Sequence, residues 1–265
     1  MPLLAERYGC FLLDLDGTLY LGDHPLPGAA GAVARLRDMD KSVVYLTNNS
    51  TKTPSAVAAK LADLGFPADP LEVVTSALVT ATLLADRGMR SAFVIGGRGI
   101  HEALAGVGIE VLLGEPPGAD CVVVGLDTDA DYAKLKTACV LVEGGAALVG
   151  TNRDAAFPTP GGLWPGAGAL LAVVTTTTGV EAEVVGKPEA PIFRAALDRA
   201  GAGPPLVVGD RLDTDIEGAS RLDWDSLLVL TGIADRASVD AGKTKPTFVG
   251  QDLSALFREE PDIAG

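Results

Sequence analysis

Apolar residues follow two rhythms along the chain. Short runs rich in Val and Leu are apolar at nearly every position: CFLLD (10–14), SVVYLT (42–47), AFVIG (92–96), CVVVG (121–125), LVVG (206–209) and SLLVL (226–230). Such runs predict strands buried on both faces. Between them, amphipathic stretches at 29–39, 54–64, 76–87, 131–143, 166–177, 190–200 and 214–222 predict helices. The alternation predicts parallel sheets covered by helices on both faces, an α/β fold. The run TTTT at 175–178 is expected to end a helix, since β-branched residues weaken helices and Gly179 follows as a stop. The Gly/Pro-rich segment 158–168 is the clearest long loop. GGRG at 96–99 lacks a full GxGxxG pattern and reads as a tight turn.

Composition narrows the function classes. With 265 residues, 48% of them hydrophobic, the chain is long enough for one large domain or two smaller ones. A formal charge of −14 repels polyanions, which argues against nucleic acid or an anionic membrane as partner. A small phosphate ester can still bind where local donors or a metal ion overcome that field. Cys10, Cys121 and Cys139 show no paired spacing and are expected to be buried thiols. The N-terminal residues lack the pattern of a signal peptide, and no run of membrane-spanning length occurs, so the cytoplasm is the default location. His24 and His101 lie in separate segments, which argues against a His metal site or a Ser/His/Asp triad. Trp164 and Trp224 read as packing residues.

In open parallel α/β sheets ligands bind beyond the carboxyl ends of the strands. Four strand exits here carry suitable polar groups. In DLDGTLY, Asp14 ends an apolar strand and Asp16 starts on the same side, with Gly17 permitting a sharp turn. Two carboxylates so close repel unless a divalent cation lies between them or one is protonated, which suits Mg²⁺ binding and a division into nucleophile and acid/base. The alternative is a turn in which Asp and Gly only supply backbone geometry. In YLTNNS, Thr47, Asn48 and Asn49 can donate to phosphate oxygens, or cap the helix that starts near Pro54. In VVGKPEAPIF, Lys187 offers a point charge to an anion, or is a solvated surface lysine. In VVGDRLDTDI, Asp210 stands where a metal ligand belongs, and Asp213 and Asp215 add more acid than a helix cap requires.

The set DLDGT, TNNS, GKP and GDRLDTD resembles the haloacid dehalogenase-like hydrolases. With TSA (75–77) and TNRD (151–154) it is similar to their NagD and 4-nitrophenylphosphatase branch. The resemblance implies a Rossmann-like parallel-sheet core built from 1–79 and 180–265, with an inserted α/β cap over 80–179 that covers the active site. It implies a Mg²⁺-dependent phosphomonoesterase for a small sugar, glycerol or glycolate phosphate. Asp14 would attack phosphorus, Asp16 would act as acid and then base, and Asp14, the Asp16 carbonyl and Asp210 would hold Mg²⁺. Thr47, Asn48, Asn49 and Lys187 would hold the phosphoryl oxygens, with Asp213 and Asp215 orienting Lys187 or metal-bound water. The cap would supply a specificity loop near 151–162 containing Arg153, Asp154 and Phe157. Pyridoxal-phosphate relatives carry histidine where Phe157 stands, which argues against that substrate. Arg153 and Asp154 would contact substrate or fix their own loop. The resemblance also allows a homodimer through cap surfaces, although no apolar stripe marks one.

Three rivals remain at this level. A phospho-acceptor signalling domain has no need of Asp16 or of a cap. A non-catalytic phosphometabolite-binding protein would be silent without a visible lesion. A dehalogenase would need neither Asp16 nor Asp210.

Overall fold

The computed structural model describes residues 2–159, 161–201, 203–259 and 262–263. They form two compact units, one of residues 1–47, 55–74 and 187–265, the other of 48–54 and 75–186.

The first unit is built on a seven-stranded sheet in the order Asp262–Ile263, Phe248–Gly250, Asp225–Val229, Pro205–Gly209, Cys10–Leu13, Ser42–Thr47 and Val73–Thr75. Cys10–Leu13 pairs in parallel with both Pro205–Gly209 and Ser42–Thr47. Asp225–Val229 and Phe248–Gly250 continue the parallel arrangement, and Asp262–Ile263 joins antiparallel. The central strands are apolar throughout because helices cover both faces and leave no solvated side. Phe11, Leu13 and Tyr45 are fully buried on one face with Val33, Leu36, Val57 and Leu61 from the helices Ala29–Asp38 and Pro54–Asp63. The one polar atom that Tyr45 carries into this layer is satisfied, its hydroxyl donating to the Pro67 carbonyl at 2.7 Å. Register matters for the site: Leu13 stands beside Val208 and Tyr45, so Asp14, Thr47 and Asp210 leave neighbouring strands at one edge.

The second unit has a five-stranded parallel sheet in the order Glu183–Val184, Ala147–Gly150, Cys121–Val124, Ser91–Ile95 and Glu110–Leu112. Its core joins Val122, Val124 and Leu148 to Ala138, Val142, Leu171 and Val174 from the helices Tyr132–Glu143 and Ala167–Thr178. The latter helix ends as the threonine run predicts, with Gly179 left-handed and its N–H donating to the Thr175 carbonyl.

Several expectations change. The segment 158–168 is no plain loop: Ala156–Thr159 and Gly162–Pro165 form an antiparallel hairpin with Phe157 opposite Trp164. Pro160, within that segment, lies outside the described residues. Trp164 is 51% exposed and is no packing residue, because the hairpin stands outside the core clusters. Trp224 does pack, its ring edge-to-face with Phe193 at 6.5 Å. GGRG is more than a turn, since it opens the helix Arg98–Gly106. The stretch 214–222 is divided between a π-helical turn, Leu212–Ile216, and a short α-helix, Glu217–Arg221. Cys10, Cys121 and Cys139 are buried free thiols, and burial raises the Cys121 pKa to about 12. No helix among the described residues is long and apolar enough to cross a membrane.

Candidate active site

The first unit gathers Asp14, Lys187, Asp210 and Asp215 at the carboxyl edge of its sheet. Asp14 follows the strand Cys10–Leu13, and its N–H donates to the Val208 carbonyl at 2.9 Å. Asp210 directly follows Pro205–Gly209, and Asp215 stands in the turn beyond it. Carboxylate oxygens of Asp14, Asp210 and Asp215 lie within 4.8 Å of one another. Lys187, only 4% exposed, donates to Asp14 Oδ1 and, at 2.7 Å, to Asp215 Oδ1. It is therefore no solvated surface lysine.

Charge is unbalanced here. With all three carboxylates ionised, one ammonium would leave two negative charges inside the protein uncompensated. Burial pushes the Asp14 carboxyl well above the usual range, against Lys187 and aided by Asp215 and Asp210. Burial, then Asp215, raises Asp210 from 3.8 to about 6, although the Ile233 N–H and Lys187 oppose the shift. Burial alone would pull Lys187 down, but Asp14 and Asp215 outweigh it and keep the lysine protonated. The two carboxyls are raised first by burial and further by their acidic neighbours, and Lys187 is raised by the acids around it.

The carboxylates are not equivalent. Asp215 is saturated, accepting from Lys187 at 2.7 Å, the Arg211 N–H at 3.3 Å and the Thr214 hydroxyl at 3.4 Å. Asp210 Oδ2 accepts from the Ile233 N–H at 2.8 Å, while its Oδ1 is buried with no hydrogen-bond partner among the described residues. A buried carboxylate oxygen left in that state is costly, and a divalent cation would resolve both it and the excess charge. The residues present fit such an ion.

Shape supports the same point. Gly17 has a left-handed φ of 84°, and a Cβ there would collide with the Asp210 carboxylate. A Cβ at Gly232 would collide with the same carboxylate. The Thr231 hydroxyl donates to the Gly17 carbonyl at 2.6 Å, tying the DLDGT turn to the exit of the strand Asp225–Val229. Sequence reading missed this fifth strand exit, although the Thr-Gly pair after the apolar run was a signal of a close backbone approach.

The remaining expected residues are placed as follows. Asp16 is exposed, two residues beyond Asp14, and its Oδ2 accepts from the Tyr20 hydroxyl at 3.4 Å. Thr47 is buried at the end of Ser42–Thr47. Asp213 points outward, 70% exposed, and pairs with Arg211 at 2.8 Å, whereas Asp215 holds Lys187. Asn48, Asn49, Arg153, Asp154 and Phe157 belong to the second unit. There, Asn49 Oδ1 accepts from the Thr51 N–H at 2.9 Å and the Thr51 hydroxyl at 2.7 Å, and Asn48 Nδ2 donates to Asp154 Oδ2 at 3.3 Å. Arg153 and Phe157 are exposed.

Residues 11–110 match the haloacid dehalogenase-like hydrolase model, and 184–256 match a second, HAD-hydrolase-like model. An acid sugar phosphatase of Staphylococcus saprophyticus is 38% identical over 96% of this chain and 98% of its own. A glycerol phosphate phosphatase of Mycobacterium tuberculosis, solved in complex with magnesium, superposes with a TM-score of 0.92 at 35% identity, over 97% of this chain and 79% of its own. A 4-nitrophenylphosphatase of Thermotoga maritima gives 0.88 at 32% identity, over 96% and 97%. The acidic strand exits, the buried lysine and these likenesses across nearly the whole of this chain together make it a member of the haloacid dehalogenase-like hydrolases.

Proposed function

We propose that this chain is a Mg²⁺-dependent phosphomonoesterase acting on small phosphate esters through an aspartyl-phosphate on Asp14. The observation that carries the reading is the pairing of Asp14 with a buried Lys187, beside an Asp210 oxygen that no described residue satisfies. Relatives named as acid sugar and glycerol phosphate phosphatases support the substrate class. A sugar or glycerol phosphate is the class we favour.

Asp14 attacks phosphorus in line; a bond forms from its carboxylate oxygen to phosphorus, and the bond to the ester oxygen breaks. Asp16, exposed and two residues beyond Asp14, gives its proton to the departing alkoxide. It then takes a proton from the water that attacks the aspartyl-phosphate, releasing inorganic phosphate and restoring Asp14. Lys187, held protonated by Asp14 and Asp215, faces the developing charge on the phosphoryl oxygens. Thr47 and Asn48 are proposed as further phosphoryl ligands, and Asp215 as the residue that aims Lys187. Asp14, Asp210 and the Asp16 carbonyl would hold Mg²⁺, which when bound neutralises the two excess charges and polarises the phosphoryl group. We assign the second unit the role of a substrate-selecting cap, with Arg153 and Phe157 as its specificity residues. Three buried free thiols suit a reducing compartment, and the cytoplasm is the proposed location.

Release of p-nitrophenol from p-nitrophenyl phosphate, in Mg²⁺ and in EDTA, tests the reaction class. Turnover should require the metal and vanish in Asp14→Asn. Metal-dependent turnover that survives in Asp14→Asn would overturn the nucleophile.

A further inference from the structure

Two sequence motifs supply residues that the chemistry above leaves without a role: Ser76 of TSA (75–77), and Asn152 and Asp154 of TNRD (151–154). Both converge on Asn48. Its backbone carbonyl accepts from the Ser76 hydroxyl at 2.8 Å and from the Asn152 side-chain amide at 2.9 Å. Its own side-chain amide donates to Asp154 Oδ2 at 3.3 Å. Asn152 and Asp154 are themselves linked, since the Asp154 N–H donates to Asn152 Oδ1 at 3.0 Å. Gly186 closes the arrangement from behind: a Cβ there would stand 2.6 Å from Asn48 Oδ1, so only glycine leaves room for that amide. Ser76 and Asn152 are buried, so neither donor is lent to the site by chance of exposure.

We propose that Asn152, Asp154 and Ser76 are positioning residues that clamp Asn48, with Asp154 serving Asn48 rather than selecting substrate. The proposal rests on the reading of Asn48 as a phosphoryl ligand. A neutral amide contributes to catalysis only when its donor is aimed before the charge develops, and an asparagine after a strand end has several rotamers from which to choose. The clamp removes that choice at both ends: two donors fix the backbone carbonyl, and one acceptor fixes the side-chain nitrogen. The phosphoryl group is common to every substrate, so the clamp must affect all esters alike. A residue that touches the leaving group would not.

The test compares kcat and KM of Asp154→Ala, Asn152→Ala, Asn48→Ala and the double variant Asn48→Ala/Asp154→Ala. Three esters serve as probes: p-nitrophenyl phosphate, glycerol phosphate and glucose 6-phosphate. Asp154→Ala and Asn152→Ala should each lower kcat by about 10- to 100-fold, by one common factor for all three esters, as expected for a displaced reacting group. The double variant should be no slower than Asn48→Ala, because a clamp without its client has nothing left to lose. Asp154→Asn, which keeps an acceptor oxygen, should regain most of the activity. Ser76→Ala, which removes a single hydroxyl, provides a readout if a larger change prevents folding; it too should lower kcat equally for all esters. Losses that differ between esters, or that add in the double variant, would overturn the clamp. Full activity in Asn48→Ala would overturn the phosphoryl role of Asn48 itself, and the clamp with it. An impaired Asn48→Ala beside an unimpaired Asp154→Ala, Asn152→Ala and Ser76→Ala would overturn the clamp alone.

Discussion

Replacing Asp210 by Asn should make the metal-free protein more stable while abolishing its response to Mg²⁺. Asp210 is 1% exposed, and burial and Asp215 lift its pKa from 3.8 to about 6. A group raised in the folded state contributes stability that is complete below its unfolded pKa and lost as pH rises through the folded value. At pH 7.5 the carboxylate is charged in both states, and a difference of roughly two pKa units corresponds to about 3 kcal/mol against the fold. Asn has nearly the same shape, can keep the acceptor for the Ile233 N–H, and carries no charge. In EDTA at pH 7.5 the variant should therefore melt higher, by about 6–12 °C at the 2–4 °C per kcal/mol typical of a chain this size. At pH 4 the advantage should shrink to about 0.5 kcal/mol, because wild-type Asp210 is then protonated when folded. Mg²⁺ at a hundredfold excess over its Kd should raise the wild type by about 2.7 kcal/mol and the variant far less. Differential scanning calorimetry over pH 4–8, with and without Mg²⁺, measures all of these. A variant less stable than wild type in EDTA at pH 7.5, or stabilised equally by Mg²⁺, would refute the assignment of Asp210 as a cation ligand.

Other perturbations have expected outcomes. Lys187→Met leaves Asp14 and Asp215 without their shared ammonium, and removing one partner of a buried ion pair typically costs about 3–5 kcal/mol. Chemical denaturation at pH 7.5 should show that loss, and acidification should recover part of it. Gly232→Ala forces a Cβ into the Asp210 carboxylate. An overpacked site loses about 1–3 kcal/mol, and Mg²⁺ affinity measured by titration calorimetry should fall with it. Asp16→Asn keeps the shape but not the proton, so kcat on an alkyl phosphate should drop by about 10²- to 10⁴-fold while Mg²⁺ binding is retained.

The strand-end acids were legible because each follows an apolar run: Asp14 closes Cys10–Leu13 and Asp210 closes Pro205–Gly209, so a parallel sheet puts them at one edge. The burial of Lys187 was not legible, since its partners lie 173 and 28 residues away in sequence and only the register of the sheet unites them. Asp213 and Asp215 look alike in the sequence, yet the tight turn at Leu212–Ile216 sends one toward Arg211 and the other to Lys187. Gly232 and Thr231 carry no chemistry of their own and act through close approach, which leaves little trace in composition. The hairpin around Phe157 and Trp164 hid behind three prolines and a Gly-Gly pair, whose local preference for turns masked the pairing of two four-residue strands. The edge strands Glu110–Leu112 and Glu183–Val184 are too short to show a period.

Trapping the covalent intermediate tests the central claim most directly. The wild-type protein and Asp16→Asn would be mixed with ³²P-labelled p-nitrophenyl phosphate, whose leaving group departs without a proton from Asp16, and Mg²⁺, quenched in acid within milliseconds to seconds, and digested for peptide mapping. The expected result is a hydroxylamine-labile phosphate on the peptide carrying Asp14, more abundant in Asp16→Asn than in wild type. Label on any other residue, or inorganic phosphate released in a single turnover with no labelled protein at any quench time, would contradict an aspartyl-phosphate on Asp14.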